Sequence, residues 1–170
     1  MDILYSYYEA KMPLISRLIF LVVHCAARNG LRETDSADLP PGTKKLAARR
    51  TGIRGETYAY WFLRRHGYVF VARNFTPRAA KGELDLVGYD GETLAFVEVR
   101  TRTVRDDLSA LPELSVTPGK QHLVARTALH FLAERHIKEC PCRFDVLAID
   151  NSHGHPPVVR LHKDAFSPPM

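Results

Sequence analysis

The sequence is poor in the residues that build disulfide-rich, collagen-like or disordered proteins. It has three cysteines in 170 residues and no C-x-x-C pair, which excludes a disulfide scaffold and argues against a zinc ribbon. This usage indicates a reducing, cytoplasmic compartment, in which we expect Cys25, Cys140 and Cys142 to be small buried thiols. The 45% apolar and 25% charged residues are the proportions of an ordinary globular domain. The composition therefore predicts a chain built around one hydrophobic core.

The sequence also lacks an apolar run long enough to span a bilayer. The most apolar stretch, PLISRLIFLVVHCAA at residues 13–27, is interrupted by Ser16, Arg17 and His24. A spanning helix needs about 20 apolar residues, and a secretion signal needs a basic segment that is missing here. The stretch predicts a packed helix that ends at Asn29-Gly30. Membrane association is not expected, although a dimer face or a membrane-surface anchor stays open as an alternative for this helix.

Acidic residues are in deficit. Lysine and arginine number 24 against 19 aspartate and glutamate residues, which gives a net charge of +5 and a pI near 9.2. This balance suits an anionic partner such as nucleic acid. A polar stretch at residues 31–51 contains a Pro-Pro-Gly turn and the basic cluster Lys44, Lys45, Arg49 and Arg50. It predicts a linker whose charges either contact phosphate or face solvent.

Residues 52–166 carry helix and strand patterns that together predict an α/β domain. Helical periodicity covers residues 52–66 and 117–135, and the second helix begins with Thr117 as N-cap and Pro118 in the first turn. Runs of β-branched and aromatic residues predict strands at residues 68–75, 82–89, 93–103, 143–150 and 158–161. The predicted organisation is an apolar helical extension at residues 1–30, a basic linker at 31–51, this domain at 52–166 and a tail at 167–170.

The pairing of the two central strands decides which of their side chains share a face. Asp90-Gly91 is a strong signal for a two-residue hairpin loop. With that loop, the opposite residues are Tyr89 and Glu92, Asp85 and Phe96, and Glu83 and Glu98. Side chains alternate along a strand, so the charged residues of both strands project from one face: Glu83, Asp85, Glu98, Arg100 and Arg102. Asp85 and Glu98 are then diagonal neighbours about 7 to 8 Å apart, near enough to bind one divalent ion.

Two interpretations of this charged face stay open. Magnesium binds oxygen ligands and keeps several waters, so two carboxylates and a substrate phosphate form an adequate site. An antiparallel sheet also commonly leaves one charged face in solvent. Glu56 falls at the edge of the inward helical stripe of Ala59 and Leu63, and a coreward carboxylate needs a partner. It is equally well explained as a first-turn acid that stabilises the helix dipole.

The spacing of these acids matches a known pattern. Glu56 on a helix, then Asp85, then Glu98-x-Arg100 starting 13 residues later, resembles the signature of the restriction-endonuclease-like, or PD-(D/E)XK, superfamily. A longer series of motifs is similar to the YraN-like family of small uncharacterised bacterial proteins: GE at 55–56, GY at 67–68, RN at 73–74, GELDLV at 82–87, FVEVRTR at 96–102, KQH at 120–122, RFDV at 143–146 and KDAF at 163–166. The resemblance covers about residues 52–166 and leaves the first 50 residues unmatched.

The resemblance implies a restriction-endonuclease-like core, similar to archaeal Holliday-junction resolvases, in which helix, three-stranded meander, helix and strand form a mixed sheet flanked by helices. It also implies that Glu56, Asp85 and Glu98 hold Mg²⁺ or Mn²⁺. Arg100 departs from the superfamily pattern, in which lysine stands at this position. Arginine keeps its proton, so Arg100 can supply charge and phosphate contacts but cannot act as a base.

Basic residues around the predicted site would contact a nucleic-acid backbone without reading its bases. They are Arg73, Arg78, Lys81, Arg102, Arg105 and Lys120. Either Lys81 or Lys120 could also bring the amine that Arg100 does not supply.

The leading hypothesis is metal-dependent hydrolysis of phosphodiester bonds in structured or branched DNA, without a small-molecule cofactor. One alternative, favoured by Arg100, is a catalytically silent nucleic-acid-binding module. The other is an interaction protein whose apolar amino-terminal helix recruits a partner, a second copy or a membrane, with the charged face in solvent.

Overall fold

A computed structural model describes residues 14–30, 41–104, 116–152 and 156–167. The helices are α1 (Leu14–Gly30), α2 (Pro41–Arg65) and α3 (Pro118–Glu134). The strands are β1 (Val69–Phe75), β2 (Leu84–Asp90), β3 (Thr93–Val104), β4 (Cys142–Ser152) and β5 (Val158–Phe166). They form one mixed sheet of five strands in the order β1-β2-β3-β4-β5. The predicted α/β class with a restriction-endonuclease-like core is confirmed.

The chain divides into two compact units. Unit 1 takes its described residues from 1–67, 101–107 and 149–159, and unit 2 takes them from 68–100, 108–148 and 160–170. Unit 1 therefore contains α1 and α2, whereas unit 2 contains α3, β1 and β2. Of the predicted extension, linker and tail, residues 1–13, 31–40 and 168–170 lie outside the described part of the chain.

In unit 1, α1 packs against α2 through aromatic side chains. Phe20 is buried, and its ring stacks on that of His24 with 5.7 Å between centroids. The Nδ1 atom of His24 lies 3.1 Å from the hydroxyl of Tyr58, and the guanidinium of Arg65 lies 4.9 Å from the centre of the Phe20 ring. The prediction of a packed helix that ends at Asn29-Gly30 is confirmed.

Other apolar side chains of α1 are exposed. They are Ile15, Leu18, Leu21 and Val22. Their spacing puts them on one stripe of the helix, and such a stripe is typical of interaction surfaces. No helix in the described residues is long and apolar enough to cross a bilayer. A role of this helix in recruiting a partner stays a prediction.

Helix α2 begins at Pro41, so the predicted linker is wrong for residues 41–51, which are helical. Proline suits a first helical position, and the lysine, leucine, alanine and arginine residues that follow are strong helix formers despite their polar composition. Arg49 and Arg50 of the basic cluster are exposed on this helix. Glu56 therefore lies in the middle of α2, and its interpretation as a first-turn acid is wrong.

Gly55 lets α2 approach Thr101 closely within unit 1. A Cβ atom at position 55 would lie 1.9 Å from Thr101 Oγ1 and 3.0 Å from Thr101 Cβ. Since Thr101 is β-branched and held in β3, rotating its side chain would not remove the second contact. At Gly52, the same added atom would meet nothing within 4 Å. Of these two glycines of α2, only Gly55 is therefore required by packing.

The β2–β3 hairpin has a two-residue loop, but the loop is Gly91-Glu92. Asp90 pairs with Thr93, and Tyr89 pairs with Leu94. The predicted partners of Tyr89, Asp85 and Glu83 are therefore wrong by two residues. Gly91 has a φ of 63°, which fits the first central position of a type II′ turn. A shift of two residues leaves the alternation of the paired residues unchanged, so Val87 and Phe96 share one face and Leu86 and Val97 share the other. The common face of the five charged residues stays a prediction.

Both faces of the central strands are buried in unit 2. Val87 and Phe96 belong to one cluster with apolar residues of α3, and the Phe96 and Phe131 rings meet edge to face at 6.0 Å. Leu86, which points to the opposite face, is also fully buried. The interpretation of this face as solvent-exposed is therefore wrong for Phe96 and for Glu98, which is 4% exposed.

A buried ion network in unit 2 joins β4 to β5 and to Tyr68, the residue before β1. Asp145 is fully buried, and its carboxylate accepts hydrogen bonds from Arg143 Nε at 2.9 Å and from the Tyr68 hydroxyl at 3.1 Å. The backbone N–H of Asp164 donates a third at 3.0 Å. Burial, and then the charges of the nearby aspartates, raise the pKa of Tyr68, so its hydroxyl stays a donor. Asp145 is thus a structural anchor with its hydrogen bonds satisfied.

The same network holds the end of the hairpin. Asp90 accepts hydrogen bonds from Arg143 and from Lys163, each at 2.6 Å. Burial raises the pKa of Asp90, but the hydrogen bonds and charges of Lys163 and Arg143 outweigh burial and lower that pKa below its ordinary value. These bonds keep Asp90 in the strand rather than in the loop, which explains the register.

The cysteines are more accessible than the sequence predicts. Cys25 and Cys142 are exposed and Cys140 is half-buried, so the expectation of small buried thiols is wrong. The Sγ atoms of Cys140 and Cys142 lie 3.4 Å apart. Partial burial of its thiol, together with the hydrogen bond shared with Cys140 and the charge of that neighbour, raises the pKa of Cys142 to about 12. The two thiols face each other because the chain turns at Pro141 between α3 and β4.

Gly55→Ala should lower the free energy of unfolding by about 1–3 kcal/mol, because the added methyl group has no room beside Thr101. Gly52→Ala should instead raise it by about 1 kcal/mol, because alanine favours the helix and meets open space. Urea denaturation of both variants measures the difference. Similar changes in the two variants would contradict the close approach at Gly55.

Asp90→Asn should make the protein less stable at neutral pH but alter it little in acid. A lowered folded pKa contributes stability that is complete above the unfolded pKa of about 4 and is lost as the pH falls through the folded pKa. Denaturation of wild type and variant at pH 7 and below about pH 3 measures this. Glu92→Gln, in the exposed loop beside Asp90, is the control and should match wild type at both pH values. A difference for Asp90→Asn that persists undiminished in acid would contradict the ionic role.

Candidate active site

The two acids predicted from the central strands lie on neighbouring strands of unit 2. Asp85 and Glu98 are the next residues of β2 and β3 beyond the last pair, Leu86 and Val97. The Oδ2 atom of Asp85 accepts a hydrogen bond of 2.7 Å from the backbone N–H of Val99, which fixes this side chain beside β3.

Two cations flank the buried carboxylate of Glu98. Its Oε1 atom lies 3.1 Å from Lys120 Nζ and 3.4 Å from the Arg100 guanidinium. Arg100 follows Glu98 by two residues on β3 and so projects from the same face. Lys120 comes from the first turn of α3, where Thr117 is the N-cap and Pro118 the first residue, as predicted. The two cations offset the cost of burying the carboxylate.

The second oxygen of Glu98 has no hydrogen-bond partner. Oε2 is buried, while Oε1 faces both cations. Buried polar atoms are nearly always paired, so this one marks a ligand position that the protein leaves unused. Magnesium and manganese prefer oxygen ligands, and the Asp85 carboxylate contacts the backbone N–H of Val99, the residue after Glu98. The side chains present therefore fit a divalent ion, which Asp85 and Glu98 would hold.

The third predicted acid lies in the other unit. Glu56 is half-buried on α2 and belongs to unit 1. Across the described ranges of the chain, no three His, Cys, Asp or Glu side chains form a group able to hold a metal ion. The role of Glu56 stays a prediction, and Asp85 and Glu98 are the two acids that would hold the metal.

The predicted phosphate-binding residues separate into groups. Those exposed on β1 and on the segment after it, in unit 2, are Arg73, Arg78 and Lys81. Arg102 instead donates two hydrogen bonds, of 2.6 and 3.2 Å, to the carboxylate of Asp150 within unit 1. Its guanidinium is therefore already engaged by an acid. Arg105 lies outside the described residues.

Two contacts of this region could not be predicted from the sequence. The sequence pattern does not distinguish Lys81 from Lys120 as the source of an amine, whereas in the structure Lys120 contacts Glu98 and Lys81 is exposed. The first-turn position of Lys120 was its only signal. Nothing in the local pattern indicated that Asp150 would bind Arg102, because that pairing depends on the placement of β4 beside β3.

Comparison with known proteins identifies relatives of this chain. A model of the uncharacterised protein family UPF0102 matches residues 55–149. A UPF0102 protein of Koribacter versatilis is 43% identical over 117 residues, which are 69% of this chain and 79% of the relative. A UPF0102 protein of Geobacter sulfurreducens is 40% identical over 128 residues, which are 75% of this chain and 97% of the relative. The YraN-like resemblance is confirmed, and the names of these relatives state no activity.

Mn²⁺ or Mg²⁺ should raise the thermal unfolding midpoint of the wild-type protein, because an ion that binds only the folded state stabilises it by about 2.7 kcal/mol at a hundred times its Kd. Asp85→Asn should lose most of this increase while keeping an acceptor for the N–H of Val99. Glu83→Gln, an exposed acid beside β2, is the matched control and should respond as wild type does. A wild-type midpoint that neither ion moves would contradict the metal site.

Proposed function

Because the chain belongs to the UPF0102 family, whose name states no activity, we propose its function from the site itself. We propose that the protein binds nucleic acid and hydrolyses phosphodiester bonds in structured or branched DNA with the help of Mg²⁺ or Mn²⁺. The observation that carries this proposal is Glu98, a buried carboxylate with one unpartnered oxygen, which lies on the strand beside that of Asp85 and is flanked by Arg100 and Lys120.

This arrangement suits phosphate chemistry better than other hydrolytic chemistry. Two carboxylates provide a place for a divalent ion, and two cations beside them can approach the oxygens of a bound phosphate. When bound, such an ion supplies a water of lowered pKa and neutralises charge on the phosphate. Asp85 and Glu98 would hold it, and the hydrogen bond from Val99 would keep Asp85 oriented.

Arg100 and Lys120 would have different roles. The Arg100 side chain is 35% exposed, so its guanidinium can contact a phosphate with two parallel hydrogen bonds, but it cannot exchange a proton. Lys120 carries a compact ammonium with three N–H donors, and it already contacts Glu98. We assign charge stabilisation to Arg100, and to Lys120 the orientation of the attacking water or the supply of a proton to the leaving oxygen.

The exposed cations would guide the nucleic acid to this site. Arg78 and Lys81 are in unit 2, as are Asp85 and Glu98, whereas Arg73 pairs with Leu86 and so projects from the face opposite to that of Phe96 and Glu98. Contacts from such residues to phosphates give binding that weakens with salt and depends little on sequence. The chain has no motif for reading base edges, so the shape of the DNA would decide which substrate is cleaved.

Incubating the full chain with four-way, forked and linear DNA of matched sequence, with Mn²⁺ or with a chelator, tests the proposal. We expect metal-dependent cleavage of the branched substrates, reduced about a hundredfold or more in Asp85→Asn and Glu98→Gln, because each removes a ligand charge. Lys120→Met should reduce cleavage while leaving DNA binding largely intact. Glu83→Gln should cleave as wild type does. Cleavage that survives in both acid variants would contradict the assignment.

A second candidate is a binding module without chemistry. Two observations favour it: arginine rather than lysine stands at position 100, and Lys120 already neutralises Glu98 Oε1. The same DNA substrates decide between the candidates. A shift of branched DNA in electrophoresis, with no cleavage under either metal, supports the silent module, and the absence of both binding and cleavage contradicts both candidates.

A further inference from the structure

The segment between α3 and β4 carries a cysteine pair that the proposed nuclease function does not use. Cys140 and Cys142 lie on either side of Pro141, and their Sγ atoms are 3.4 Å apart. The Cys142 thiol also contacts the backbone carbonyl of Cys140 at 3.3 Å, so the chain turns sharply here and points both sulfurs to one side.

The backbone holds this arrangement in place before any ligand arrives. The carbonyl of Pro141 accepts a hydrogen bond of 2.8 Å from the N–H of Leu94, a fully buried residue of β3. Cys140 packs against the apolar core, and Cys142 is the first residue of β4. Proline fixes its own φ, which removes further freedom between the two thiols. The sulfurs are thus positioned by the fold rather than by chance rotation.

The separation of the sulfurs selects among the chemistries open to two thiols. A disulfide needs about 2.05 Å between sulfur atoms, so the pair would have to close by more than about 1.3 Å. Two bonds of about 2.3 Å to a tetrahedral zinc-like ion need sulfurs about 3.8 Å apart, a change of only about 0.4 Å. A linear two-coordinate ion would need about twice the bond length, which is much farther than the observed 3.4 Å. The geometry therefore favours a tetrahedral ion.

We propose that Cys140 and Cys142 chelate a thiophilic divalent metal ion of the zinc type at the start of β4. Two sulfur–metal bonds form as the two thiol protons pass to solvent, and water completes the coordination. Cys142 is exposed and Cys140 partly so, which leaves the ion a path from solvent. Soft thiolates favour this class of ion, whereas Asp85 and Glu98 offer the hard oxygens that suit magnesium or manganese.

Titration of the reduced full-length protein with Co²⁺ tests the site, because thiolate coordination produces sulfur-to-cobalt absorption that oxygen ligands do not. We expect one cobalt per chain with this absorption, displaced by Zn²⁺. Cys140→Ser and Cys142→Ser should each weaken binding at least about tenfold, as expected when a ligand is lost. Cys25→Ser is the matched control and should bind cobalt as wild type does.

Several outcomes would overturn the proposal. They are an absence of sulfur-to-cobalt absorption in protein whose three thiols are shown to be free, an absorption that depends on Cys25, or binding that is unchanged in both serine variants. Near-ultraviolet circular dichroism of the serine variants establishes that they are folded. Because Asp85→Asn leaves these thiols intact, failure of the DNA cleavage proposal and failure of this one are distinguishable.

Discussion

A carboxylate buried on the core-facing side of a sheet constrains everything around it. Glu98 is charged and almost inaccessible, so it requires positive partners, and the chain supplies one from the same strand and one from a helix. The helix can deliver Lys120 only if it begins where it does, and Thr117 with Pro118 fixes that beginning. The start of α3, the face of β3 and the candidate active site are therefore parts of one arrangement. Arg100 and Lys120 restrain one oxygen of Glu98 and leave the other without a partner.

A second charged network has a different purpose in the same unit. Asp145 accepts hydrogen bonds from three groups, whereas one carboxylate oxygen of Glu98 accepts none. Buried ion pairs of this kind contribute little net stability, but removing one partner leaves a costly charge. Asp145 therefore positions strands, whereas Glu98 has an oxygen available for a ligand.

Much of the fold could be predicted from the sequence, because its elements have strong local signals. Apolar alternation and turn residues located all five strands of the described residues, although β5 extends to Phe166 and not only over the predicted 158–161, and Thr117-Pro118 located the start of α3. The prediction of a linker was wrong for residues 41–51 because polar composition does not distinguish a solvated helix from a loop. The basic residues after Pro41 form a helix readily. The predicted hairpin register was wrong because Asp90 is held in its strand by Arg143 and Lys163, which lie far along the chain.

The candidate site was predictable only as far as alternation reaches. Alternation put Asp85, Glu98 and Arg100 on one face, and the two-residue error in register did not disturb it. The choice of Lys120 over Lys81 and the capture of Arg102 by Asp150 depend on contacts between distant elements, for which a single sequence has no signal.

The hairpin between β2 and β3 limits how this region can change in length. Its loop of two residues follows Asp90, which the ion network anchors, so a residue inserted in β3 between the loop and Glu98 would not be compensated by a movement of β2. Adding a single residue there would exchange the faces of β3 from that point on and bring Val97 or Val99 to the face that Glu98 now occupies. Adding two would restore the faces. Viable length variants of this part of β3 should therefore differ by even numbers of residues.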